Sequence, residues 1–317
     1  MSNVSSDHWM PEQITLDRKR SRLAMRASVL QSIRGFFQEK GFLEVQTPTR
    51  TWAPAPESHI EPIPLLEGGC LITSPELHMK RLLAAGYEKI FQICTVFRRG
   101  ERGHRHHPEF TLLEWYRLHS DQAALQEDCE GLLQFVCRAV HRESGWKYGG
   151  NWLDVNAPWE KWTVREAFLR YAGHDPLTQW NQDTFEEVLV QKVEPNLGFP
   201  APCFLTHYPA FQAALAKMSA HDSSTCERFE LYWAAIELAN GFSELTDAME
   251  QRRRFESVLK EREKADLPSY AMPEKFLKSL EVLKPCAGIA LGVDRLVMLL
   301  ADAPSLDDVV AFPPAFT

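Results

Sequence analysis

The chain has 317 residues, 44% hydrophobic and 25% charged, which suits one large or two ordinary globular domains and excludes a disordered or collagen-like chain. No apolar run approaches the ~20 residues that span a bilayer, and the amino terminus, with Asp7 and no apolar core, does not read as a signal peptide, so the expected location is the cytoplasm. A net charge of −8 leans away from a polyanionic partner, whose binding face is usually basic.

Residues 1–16 read as a loose tail. From Asp17 a helix is expected, because Leu23, Ala27, Leu30, Ile33 and Phe37 recur at helical spacing and Gly41 is a natural stop. Leu43 to Pro48 follows as a short strand ended by proline. At Ser74-Pro75-Glu76 a second helix opens, with Ser74 as cap, Pro75 in the first turn and Glu76 at the positive end. Two β-rich segments, Lys89 to Phe97 and Glu109 to Leu118, flank a polar loop holding Gly100 and Gly103, and read as a hairpin. Helical periodicity returns from Asp121 to Arg142, and Thr163 to Glu166 is a capping box opening a helix through Tyr171. The whole of residues 121–200 is expected as a helical insertion over a sheet. Pro202 to Tyr208 is a short apolar strand, and Ala287 to Leu299 is a small-residue strand running into a helix.

Several of these stretches carry chemistry. The hairpin loop presents Arg98, Arg99, Arg102 and Arg105 beside Phe110. Arginine forks bind phosphate oxygens and an aromatic face stacks on a purine, although a solvated charged tip would explain the same residues. Glu230, Glu237 and Glu244 recur every seven residues. On a helix they would share one solvated face; on a straight strand neighbours would alternate faces, so convergence needs a turn, and Asn240-Gly241 is the turn signal. Two carboxylates converging beside a triphosphate are a usual way to hold Mg²⁺. Small residues at Gly288 and Gly292 let a ligand approach the backbone, and Arg295 can lie over a ring or a phosphate. His104, His106 and His107 cluster without a nearby Cys, and seven scattered cysteines form no Cys-x-x-Cys pair. Reduced thiols and no zinc site are expected.

The run from Phe97-Arg98 to His106-His107-Pro108-Glu109-Phe110-Thr111 and on to Glu114-Trp115-Tyr116 resembles the second signature motif of class II aminoacyl-tRNA synthetases in its lysyl form. The first helix, its strand and Pro48 resemble the first motif, and Ala287 to Leu299 the third. Together they span roughly residues 17–312, so residues 17–317 are expected as one catalytic domain. The resemblance implies an α+β fold, an antiparallel sheet flanked by helices, with a homodimer built on the first motif. It implies ATP and Mg²⁺ as cofactors, with Arg98 on the α-phosphate and adenine held between Phe110 and Arg295. Arg99, Gly100, Glu101, His107, Leu238 and Gly292 would complete the ATP site, and Glu230 and Glu237 would hold Mg²⁺. Ser74, Pro75, Glu76, Glu114, Tyr116, Asn240, Phe242, Glu244 and Ala290 would surround the amino acid. Catalysis would rest on Arg98, Glu237 and Arg295.

Only about 16 residues precede the match, so an anticodon-reading barrel is not expected. A chain of this kind is similar to the elongation factor P–(R)-β-lysine ligase family. That likeness implies (R)-β-lysine or lysine as substrate and a lysine of elongation factor P as acceptor, with neither tRNA nor a membrane as partner. Two positions depart from the lysyl wording. Gly100 stands where the family has a carboxylate, with Glu101 next to it, and His107 stands where the family has Asn. A positive φ at Gly100 would let Glu101 swing into the vacated place. Lysyl enzymes carry Gly where this chain has Ala290, whose methyl would crowd an α-amino group yet tolerate a β-amino group. A tRNA-charging enzyme and a non-catalytic regulator remain alternatives.

Overall fold

A computed structural model describes residues 12–141, 145–178 and 182–314. Helix α1 (Glu12–Glu39) leads into β1 (Leu43–Glu44). It starts earlier than Asp17 and stops at Gly41, which takes φ +75°; most of the expected tail lies outside the described residues. A small ribbon of β2 (Arg50–Thr51) and β3 (Cys70–Leu71) precedes α2 (Glu76–Ala84). Strands β4 (Lys89–Phe97) and β5 (Glu109–Leu118) form the expected hairpin in full register. Helix α3 (Gln122–Val140) is capped by Asp121, which accepts from the Ala123 and Ala124 amides. Its expected end at Arg142 lies outside the described residues.

Residues 121–200 are more than helical. After α3 come a ribbon of β6 (Gly145–Tyr148) and β7 (Asn151–Asp154), then β8 (Glu160–Thr163) and α4 (Val164–Tyr171). The Thr163–Glu166 capping box is present. Helix α5 (Gln182–Val188) runs on through a π turn at Leu189–Val193. Four-residue strands carry too little alternation to be read from sequence. Strand β9 (Cys203–Thr206) is the core of the Pro202–Tyr208 segment, and β10 (Arg228–Trp233) and β11 (Ile236–Ser243) make a second hairpin. Helices α6 (Ala248–Lys264) and α7 (Glu274–Leu280) follow, then β12 (Cys286–Gly292) and α8 (Val293–Leu300).

Eight strands form one sheet in the order β1-β4-β5-β12-β11-β10-β9-β8, antiparallel except for the edge pairs β1–β4 and β8–β9. This is the α+β architecture expected. Side chains alternate across a strand, and one face of the sheet is apolar. Phe91, Trp115, Ile289 and Phe229 share a row on β4, β5, β12 and β10. They pack with Val29, Ile33, Phe37, Leu132, Val136 and Leu296 from α1, α3 and α8 in one buried cluster. Burying each such large side chain contributes about 1.5–3 kcal/mol. The other face is polar and carries the cleft described below. Among the described residues no helix is long and apolar enough to cross a membrane.

A charged tie fixes α1 and α8 to the sheet. Arg26 forms an ion pair with Asp294, which is almost fully buried, and donates to Thr111 Oγ1 at 2.7 Å. The second Asp294 oxygen accepts the Thr111 amide at 2.7 Å. Removing one partner of a buried pair strands the other. Asp294→Ala should therefore lower the unfolding free energy by about 3–5 kcal/mol in urea denaturation. Arg22→Ala breaks the half-exposed pair with Asp308 and should cost no more than about 1 kcal/mol. Equal losses would refute the assignment.

Candidate active site

Strand register assembles the polar face. Gln92, Glu114, Ala290, Asn240 and Glu230 stand side by side on β4, β5, β12, β11 and β10. Two residues along, on the same face, stand Ile90, Tyr116, Gly288, Phe242 and Arg228. A cleft of about 950 Å³ opens over these rows, near the upper end for ligand sites. Gly288 is required here. Any Cβ would overlap the Tyr116 ring and the Glu244 carboxylate, so its absence lets those two groups meet.

The carboxylate spacing of seven converges by a device the sequence reading missed. Asn240-Gly241 is no turn; both lie inside β11, and Gly241 is small because a Cβ there would sit 2.9 Å from Ile289 and from the Phe229 ring. The turn is Ala234-Ala235, both at positive φ. Pairing runs Leu231↔Ala239 and then Tyr232↔Glu237, so Leu238 is an extra residue in β11. A bulge of this kind re-aims the side chains beyond it. It puts Glu237 on the same face as Glu230 and Tyr232.

At one end of the cleft, Glu114 accepts from Ser74 Oγ at 2.6 Å and from Tyr116 Oη at 2.7 Å. Ser74 also accepts the Glu76 amide at 3.0 Å, while Pro75 marks the start of α2. Lys80, 1% exposed, lies 2.5 Å from Glu76, pairs with Glu244 and sits 5.2 Å from the Phe242 ring centre. Burial alone would pull the Lys80 ammonium down, but Glu244 and Glu76 outweigh it and hold it charged. Burial pushes the Glu244 carboxyl up to about 8 despite Lys80, and the Glu114 carboxyl up to about 7. Apart from the charge-assisted contact with Lys80, neither Glu244 oxygen has a hydrogen-bond partner among the described residues. Three carboxylates thus surround one ammonium. A further cation would complete the set, because buried charge must be paired.

The other end of the cleft is basic and aromatic. The Arg98 guanidinium lies 5.0 Å from the Phe110 ring centre and 3.8 Å from the Glu101 carboxylate. Gly100 takes φ +81°, the backbone that brings Glu101 back toward Arg98. Arg295, on the first turn of α8, donates to the Glu237 carbonyl at 2.8 Å, to its carboxylate at 3.2 Å and to His106 Nε2 at 2.7 Å. Leu238, Ala290, Gly292, Asn240 and Phe242 line the cleft with Glu237. Five expected residues do not, Pro75 and Gly100 among them. Arg99 is exposed outside it. Glu244 lies beneath it, and Glu230 is occupied by Tyr208, Tyr232 and Arg228 at 2.5, 2.6 and 2.7 Å. His107 is buried against Asp307 at 2.7 Å.

Lys80, Arg228 and Glu57 belong to the cleft or its wall, and the sequence reading assigned none of them. For Lys80 the signal was the four-residue spacing from Glu76; Arg228 stood two residues from Glu230 on one strand face. No local pattern marks Glu57. A family model described as tRNA synthetases class II (D, K and N) matches residues 13–315.

The raised carboxyls set a pH dependence. Each is ionised only above about 7 to 8, and an ammonium binds the ionised form. The Kd of an amine ligand should therefore fall as pH rises from about 6 to about 8, until the amine itself loses its proton near 10. Titration calorimetry in buffers of different ionisation enthalpy should show protons released on binding. A flat Kd with no proton release would refute the charge assignment.

Proposed function

The chain belongs to the class II tRNA synthetases of the D, K and N type, and we propose that it activates (R)-β-lysine and attaches it to a lysine of elongation factor P. ATP-dependent activation of an amino acid with Mg²⁺, and ligase chemistry, come with family membership. The narrower reading rests on one observation above all: Glu76, Glu114 and Glu244 outnumber the single buried ammonium of Lys80. A substrate with two amino groups supplies the missing cation. One with a neutral side chain leaves the carboxylates unpaired and is rejected.

In this reading the substrate carboxylate, already ionised near pH 7, attacks the α-phosphorus of ATP. Diphosphate leaves and an acyl-adenylate forms. Arg98 draws charge from the phosphoryl oxygens, and Phe110 and Arg295 hold the adenine. Of the two carboxylates expected to hold a hard cation shared with phosphate, Glu237 faces the cleft, while Glu230, in the next strand, is already held by Tyr208, Tyr232 and Arg228. Mg²⁺ held there would neutralise phosphate charge. The acceptor amine then attacks the acyl carbon, AMP leaves, and the amide remains. We place this activity in a cytoplasmic homodimer joined through α1 and β1, where Leu43 is 51% exposed on the edge strand.

The net charge of −8 favours a protein amine over a polyanion as acceptor. Loop arginines at the mouth of the site could steer an acidic partner by charge; of these, Arg102 is held by Asp307 at 3.0 and 3.1 Å and Arg105 by the Ala235 carbonyl at 2.8 Å. Arg99 remains exposed. Intact-mass measurement after incubation with ATP, β-lysine and elongation factor P should show one added lysyl unit, lost when the acceptor lysine is replaced. Labelling of tRNA with an unchanged factor would establish the tRNA-charging alternative instead.

Ala290 stands between Glu114 and Asn240 and lines the cleft. Ala290→Gly should raise kcat/KM for α-lysine relative to β-lysine by the worth of one methyl contact, about 1–3 kcal/mol. An unchanged α-to-β ratio would sink the steric assignment.

A further inference from the structure

One carboxylate of the cleft has no role in the reading above. Glu57 lies in the loop joining β2 to β3, within Pro54-Ala55-Pro56-Glu57-Ser58, and lines the cleft with Ser74, Glu76 and Arg98. Its peptide is fixed from behind. Arg262, 1% exposed, donates Nη1 to the Glu57 carbonyl at 3.0 Å. The remaining Arg262 nitrogens are held by the Pro268 carbonyl at 3.0 and 3.1 Å, the Tyr270 hydroxyl at 2.7 Å and the Glu61 carboxylate at 2.7 Å. Tyr270 donates in turn to Glu61 at 2.7 Å. Two prolines and a buried arginine leave this loop little freedom. The Glu57 side chain is therefore presented to the cleft at a set place.

That side chain has nothing to bind within the protein. Among the described residues its carboxylate accepts no hydrogen bond and joins no ion pair, although it is half-buried. Burial pushes its carboxyl up to about 7, against the pull of Arg98, with Glu76, Glu101 and Arg228 as its other charged neighbours. These neighbours place it over the junction of the two ends of the cleft, between the arginine read as the phosphate grip and the first carboxylate of the amine pocket. The reacting carboxylate of the substrate must lie at that junction. The amino nitrogen nearest to it, on the α- or β-carbon, lies two or three bonds from the carboxyl carbon. Glu76 already has one oxygen on Lys80 at 2.5 Å, and Glu114 and Glu244 belong to the deep end.

We propose that Glu57 is a specificity-determining residue that receives the amino group beside the reacting carboxylate, while Glu114, on the cleft wall, receives the distal one. The proposal rests on the diamine reading of the site and adds to it the residue that counts the second amine. A neighbour whose carbonyl is clamped and whose carboxylate is free suits that task, since no internal bond must break when the ammonium arrives.

The test deletes the amine and the carboxylate in turn. Amino-acid-dependent ATP–diphosphate exchange is measured for the full chain and for Glu57→Gln, each with β-lysine, lysine and ε-aminocaproate. The last compound keeps the carboxylate and the distal ammonium but lacks the proximal amine. Glu57→Gln should lower kcat/KM for the better diamine roughly 10- to 100-fold, the usual effect of losing a hydrogen bond between charged groups. Exchange with ε-aminocaproate should change by less than about threefold, so discrimination collapses, and Glu57→Asp should restore part of it. An equal loss with diamine and monoamine would overturn the proposal and leave Glu57 as a loop-positioning residue. Absence of exchange with either diamine in the unaltered chain would instead overturn the diamine reading, and this inference with it.

Discussion

The site depends on a charge imbalance that the fold itself imposes. Lys80 is buried between Glu76 and Glu244, with Glu114 close by on β5. Taking an ion out of water costs several kcal/mol, and a single ion pair recovers that only with good geometry and further hydrogen bonds. A fold seeking stability alone would do better with apolar side chains here. Three carboxylates around one ammonium instead leave the pocket short of positive charge, and raised carboxyls at Glu114 and Glu244 record that shortage. Such a pocket stores a preference for a cation at the expense of the empty protein's stability, as buried functional groups commonly do.

Everything around that pocket serves to hold the polar face of the sheet in register. The apolar face packs on α1, α3 and α8, and a slip of one residue in any central strand would exchange the two faces. Among the described residues of the sheet, the bulge at Leu238 is the place where the pairing register shifts and alternation is broken. Without it, Glu237 would point into the core against which Ala239 and Leu291 pack. With it, the carboxylate faces the cleft and meets Arg295, which joins α8 to β11. Gly288 and Gly241 are complementary on opposite faces. One makes room for Tyr116 beside Glu244, the other for Phe229 beside Ile289.

Much of this was legible in the sequence, and what was not has identifiable causes. The β4–β5 hairpin, α3, the capping box at Thr163 and the strand-to-helix corner at Gly292 announce themselves through alternation, periodicity and capping. Most short strands do not: β6, β7 and β8 are four residues each, and of the strand expected from Leu43 to Pro48 only Leu43 and Glu44 pair, with β4. Gly241 was read as a turn because Asn-Gly favours one locally, yet close packing between sheet neighbours explains it as well, and only register tells the two apart. Glu230 looked like a metal ligand by spacing. Tyr208, from a distant loop, and Arg228 claim its oxygens instead. Partners far away in sequence are what a single chain read in order conceals, and Glu57 with its clamp at Arg262 is the extreme case.

The two departures from the lysyl wording become one structural change in the fold. His107, on the cleft wall, is buried against Asp307, which also takes both nitrogens of Arg102, while the Leu306 amide donates to the His104 carbonyl at 2.9 Å. An asparagine at position 107 is shorter and would not make the same reach. The loop is thus docked on the turn at residues 304–308, and Arg102 is spent as a structural residue. Docking fixes the far end of the loop. Gly100 then has to fold the near end back, and its positive φ does so. The result returns a carboxylate, Glu101, to the side of Arg98. The His107–Asp307 contact thus holds the far end of the loop, while Gly100 sets the near end so that Glu101 stands beside Arg98.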